Sequence, residues 1–183
     1  MNPVNPEAIG VFGLIVTVIC FGLEQVGVGV KGGEPRAISK SLALVAIFFG
    51  GLTQLYTSVS FYLFNLSGVA DTSIFLGTVF GFFGLFWCMI GTFFLIGGDK
   101  KVMAHFFVVG FFLVLAFTIK AFSLGLVWPL GVVLTIICIL LAALPVAWYT
   151  GSKLFTIIAG VSNIAIGITA IPLLLSALGL MAH

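Results

Sequence analysis

Residues Ser41–Phe64 read SLALVAIFFGGLTQLYTSVSFYLF, and this stretch decides the fold. It is apolar over a length that crosses a bilayer, yet Phe49-Gly50-Gly51-Leu52-Thr53-Gln54-Leu55 places in its middle an amide that hydrocarbon cannot solvate. Ala43, Ala46, Gly50, Thr53, Thr57 and Ser60 recur at intervals of three and four residues, so they share one face of a helix. The opposite face is apolar. A membrane helix keeps such a stripe because small residues let neighbouring backbones approach, and because hydroxyls and amides need partners away from lipid. The stretch predicts a central transmembrane helix about which the others pack.

Outward from this helix the chain is equally apolar. Of its 183 residues 62% are hydrophobic and 7% charged, and the mean hydropathy is +1.37. A water-exposed surface needs far more charge, which excludes an ordinary soluble domain and predicts an integral membrane protein. Six runs are long enough to span: Ala8–Val30, Ser41–Phe64, Thr72–Ile96, Val102–Ala121, Leu126–Trp148 and Leu154–Leu180. The expected fold is all-α, a compact bundle of six transmembrane helices forming a single domain over residues 1–183. Short connections carrying breakers, such as Lys31-Gly32-Gly33-Glu34-Pro35-Arg36 and Gly97-Gly98-Asp99-Lys100, make consecutive helices antiparallel neighbours. The N-terminus has no positively charged leader, so the first run is expected to be a retained helix rather than a cleaved signal.

Small and weakly polar faces recur along the chain. The first segment offers Gly10, Gly13, Thr17, Cys20, Glu24 and Gly27, and the third Gly77, Gly81, Gly84, Cys88 and Gly91. The fifth offers Gly131, Thr135, Cys138, Ala142 and Pro145, and the sixth Thr156, Gly160, Asn163, Gly167 and Ala170. The fourth is bulkier and rich in phenylalanine. Close helix packing alone accounts for glycine at such spacing. A solute path is the sharper reading, because Thr17, Gln25, Thr53, Gln54, Thr135, Ser162, Asn163 and Thr169 place neutral hydrogen-bonding groups inside spans that could have been wholly apolar. Pro129, Pro145 and Pro172 fall in or beside the last two spans, where each removes a backbone donor.

The three cysteines lie mid-segment without metal or disulfide spacing, and neither a metal site nor any cofactor is expected. The net charge of +2 comes from loop cations, the ordinary dressing of a membrane protein, so no nucleic-acid partner is expected. Loops one, three and five carry Lys31, Arg36, Lys40, Lys100, Lys101 and Lys153, which by the positive-inside rule puts both termini outside. Glu24 is the acid deepest in a span and the candidate for proton-linked chemistry, set against an interfacial carboxylate. Asp71 and Asp99 read as loop or cap residues. Enzyme signatures such as HExxH, GxSxG or a Ser/His/Asp set are missing, and a transporter needs none of them.

Four elements resemble the acetate uptake transporter family, which includes the succinate-acetate permeases. Asn5-Pro6-Glu7-Ala8-Ile9-Gly10 resembles that family's Asn-Pro-x-x-x-Gly entry to helix one, and Phe49-Gly50-Gly51-Leu52-Thr53-Gln54 its Tyr-Gly-Gly-x-x-Gln run in helix two. Phe83-Gly84-Leu85-Phe86-Trp87 is similar to its Tyr-Gly-x-Phe-Trp element in helix three, and Ala159-Gly160 through Gly167 to its small-residue pattern in helix six. The resemblance implies a six-helix protomer of a homohexamer in a prokaryotic plasma membrane. It implies one path per protomer for acetate, or for succinate, with the lipid bilayer as the other partner. It also implies a constriction at Leu14, Phe83 and Ile137, Asn5 tethering the mouth of helix one, and Thr53 and Gln54 bonding near the path. Phe83 stands where the family has tyrosine, and Phe61 where many members have glutamate. Family members have cytoplasmic termini, opposite to the charge count. A channel for urea or a short amide would use the same uncharged lining, and a non-transporting structural subunit would use the stripes for packing alone.

Overall fold

A computed structural model describes residues 6–30 and 32–180. Its described residues form six helices long and apolar enough to cross a membrane: α1 Glu7–Gln25, α2 Pro35–Phe64, α3 Ala70–Ile96, α4 Lys100–Ser123, α5 Val127–Thr150 and α6 Lys153–Ala177. The protein is therefore all-α with six spans, as its apolar runs predict. Large apolar side chains such as Phe48, Leu85, Phe112 and Ile119 stay exposed, which suits a surface that faces lipid rather than water.

The helix ends differ from the apolar runs for local reasons. α1 stops at Gln25 rather than continuing to Val30. The Gly27 N–H bonds to Glu24 O and the Val28 N–H to Leu23 O, both at 2.9 Å, and Gly27 takes φ +79°, a left-handed cap that glycine adopts without strain. α2 begins at Pro35 instead of Ser41, because proline fits a first helical turn and loses no bond there. Arg36 and Lys40 thus ride on helix rather than on loop one. At about 1.5 Å per residue the 30 residues of α2 exceed the hydrocarbon thickness of about 30 Å, which leaves room for this polar first turn. α4 is capped by Asp99, whose carboxylate accepts from the Lys101 N–H at 2.8 Å and the Val102 N–H at 3.0 Å.

Two helices contain π turns that apolar periodicity did not announce. In α2 the backbone widens over Ala46–Leu52, and α5 opens with such a turn over Val127–Gly131, where Trp128 is extended and the peptide bond to Pro129 is cis.

The chain divides into two compact units. Among the described residues the first holds 6–17, Ser39–Ile96 and 171–180. Its core is the antiparallel seam of α2 and α3. A methyl added at Gly91 would lie 2.7 Å from Ala43 O, and one at Gly84 would lie 2.7 Å from Leu55 Cγ, so only hydrogen fits at these crossings. The Ser58 hydroxyl donates to Gly77 O at 2.6 Å across the same seam, and Phe61 stacks on Phe80 with ring centroids 5.7 Å apart. The second unit holds Val18–Ile38 and Gly97–Ala170. There α4 packs along α5, with Phe107 edge-on to Trp148 at 5.1 Å, and the end of α1 lies against α6.

Candidate functional site

In the first unit the start of α1 lies against the π turn of α2. Gly13 faces Phe49 O and the Thr53 hydroxyl, Gly50 faces Thr17 Oγ1 and Trp87, and Gly10 faces Thr57. Thr17 is wholly buried, and its hydroxyl donates to Gly13 O at 2.8 Å; the Thr53 hydroxyl donates to Phe49 O. Both hydroxyls therefore spend their proton on their own helix and keep acceptor capacity only.

Gln54 differs. It is 1% exposed, and its Nε2 has no hydrogen-bond partner among the described residues. A buried amide nitrogen without an acceptor costs about 1–3 kcal/mol, which a ligand oxygen would relieve. The spacing named Thr53 for the buried face, whereas Gln54 is buried and Thr53 half-buried. In the π turn each residue advances less around the axis than in an α-helix, so a 3.6-residue count drifts there.

Leu14 and Phe83, the constriction residues implied by the family resemblance, are buried in this unit. Phe83 belongs to an aromatic cluster, 5.1 Å from Phe82 and 6.4 Å from Phe86 between ring centroids, and Phe86 lies 5.7 Å from Trp87. Asn5, expected to tether the mouth of α1, lies outside the described residues. The neighbouring role falls to a residue that the site reading passed over: the buried Thr57 hydroxyl donates to Pro6 O at 2.9 Å and ties the start of α1 to α2. Its place on the small-residue stripe was the available signal.

In the second unit Ile137 is buried on α5, and Asn163, 2% exposed on α6, donates from Nδ2 to Gln25 Oε1 at 2.9 Å. Glu24 is half-buried in the last turn of α1. Thr135, counted among the inward polar groups, is exposed and donates to Gly131 O at 2.8 Å, whereas Ser162 is buried.

Among the described residues every lysine and arginine is exposed, so no fixed cation is buried with these polar groups. No group of three or more His, Cys, Asp or Glu side chains among them could hold a metal ion. Neutral donors and acceptors in an apolar wall can strip part of a solute's hydration and still release it, as conduction requires.

The sequence matches no protein-family model and no curated protein. The structure is similar to that of the bacterial acetate channel SatP, with a TM-score of 0.79 and 20% identity, over 95% of this chain and 91% of that one. At that identity the likeness shows the fold: this chain is folded as a bacterial acetate channel is.

Proposed function

We propose that the protein carries small monocarboxylates, acetate foremost, across a prokaryotic plasma membrane, channel-like or linked to protons, with one path per protomer of a hexamer. The observation that carries this reading is the shared fold with an acetate channel over 95% of the chain. The helix-one, helix-two and helix-three motifs support it independently and nominate Leu14 and Phe83 as residues that narrow the path, and the family resemblance adds Ile137 on α5. Gln54 supplies the chemistry that suits a carboxylate: a buried donor still without an acceptor among the described residues. With every described cation exposed, an anion is held weakly, which fits passage better than storage.

The test is uptake of labelled acetate into proteoliposomes containing only this protein, with and without an inward proton gradient. Gradient-stimulated uptake above protein-free vesicles supports proton linkage and directs attention to Glu24. Uptake indifferent to the gradient supports a channel. The Gln54→Leu variant should lose most of the flux while stability holds or rises, by up to about 1–3 kcal/mol, since it removes a buried donor that has no acceptor among the described residues. Uptake no faster than in protein-free vesicles overturns the proposal.

The uncharged lining favours a second reading, a channel for urea or a short amide. Competition decides it: urea that slows acetate uptake uses the same route. Transport of neither leaves a structural subunit.

A further inference from the structure

The end of α1 and the start of α6 meet at glycines. A methyl at Gly22 would lie 2.8 Å from Gly160 O, and one at Gly160 would lie 2.9 Å from Gln25 Cβ and 3.0 Å from Gly22 O. This close approach brings the Gln25 and Asn163 amides together at 2.9 Å, Asn163 Nδ2 donating to Gln25 Oε1. Asn163 is 2% exposed, and its Oδ1 accepts no hydrogen bond among the described residues. An acceptor buried in a membrane domain has no solvent to turn to. The two amides cannot cure this between themselves. Rotating both end for end preserves their mutual bond and leaves Asn163 with a free nitrogen in place of a free oxygen. Only a third group satisfies the pair, and one able to donate and accept satisfies it in both orientations. A carboxylate anion, which can only accept, satisfies it in the rotated orientation alone.

We propose that the Gln25–Asn163 pair is a binding site for a small uncharged solute carrying both a donor and an acceptor, a primary amide or an un-ionised carboxylic acid. It extends the transport reading to a second polar site, and its test does not need the solute to cross the membrane.

The probe is acetamide, titrated onto the full chain in detergent while the thermal unfolding midpoint is followed; a ligand of the folded state raises that midpoint once its concentration passes its dissociation constant. Acetamide should raise the midpoint of the wild-type protein. Asn163→Leu, of similar volume and without the amide, should bind acetamide about tenfold more weakly, the loss expected for one ligand hydrogen bond in a buried site. Should that variant fail to fold, Asn163→Ser retains one hydroxyl and should show an intermediate response. Acetate at alkaline pH, wholly anionic and matched to one orientation only, should give a weaker Asn163-dependent response than acetate at acidic pH. A wild-type midpoint indifferent to acetamide overturns the proposal. So does a response equal in wild type and in the variant that folds, or an equal Asn163-dependent response to the anion. Failure of acetate flux in proteoliposomes bears on the transport reading alone.

Discussion

Gln54 and Asn163 are both amides buried in apolar surroundings, yet they are left with opposite needs: Gln54 has a spare donor and Asn163 a spare acceptor. The sequence could show that each amide lies in a span but not which atom would go unpaired, because that depends on a neighbour reached only by folding, such as Gln25 against Asn163. Phe83 is the residue whose role is most directly testable. Replacing it by alanine removes a ring buried among Phe82 and Phe86 and should raise acetate flux per folded protein by opening the constriction, while lowering stability by about 3–5 kcal/mol. Uptake and unfolding measured on one preparation separate the two effects. Flux and selectivity identical to wild type would remove Phe83 from the gate.

At the scale of elements, the stripe on α3 is a packing device. Gly77, Gly81, Gly84 and Gly91 face, in order, Phe61, Ser58, Leu55 and Ala43, the antiparallel register of α2 against α3. Gly84→Val puts a side chain where Leu55 Cγ and backbone nitrogen already lie 2.7 and 2.9 Å from a first carbon, and overpacking of this kind destabilises by about 1–3 kcal/mol. The unfolding midpoint should fall accordingly; an unshifted midpoint would mean that the seam opens freely. Glycine spacing revealed the stripe, and short connections revealed the antiparallel sense. The π turn over Ala46–Leu52 was not legible, since it alters the count of residues per turn without altering which residue types are present.

For the whole molecule, six spans were legible because apolar runs of membrane length leave few alternatives. Charge gives one prediction of orientation, opposite to the family resemblance: Arg36, Lys40, Lys100, Lys101 and Lys153 all lie at or beside the odd-numbered connections. The positive-inside rule therefore predicts that a cysteine introduced at Ser152 reacts with a membrane-impermeant thiol reagent in inverted vesicles and not in intact cells. Labelling in intact cells would give instead the cytoplasmic termini that the family resemblance implies.

What the sequence determined by itself is the solvent this protein folds in, the number of its spans, their alternating sense and the stripes along which they pack. These follow from local composition and period, which each segment carries without reference to any other. Tertiary structure alone decided that Gln54 rather than Thr53 is the more buried, that Thr57 ties down Pro6, and that Asn163 pairs with Gln25. Each depends on atoms distant in the chain or on backbone geometry that no residue type signals. Hydrophobicity decides which segments enter the membrane, whereas hydrogen bonds, satisfied or left open, depend on where the distant partner comes to rest.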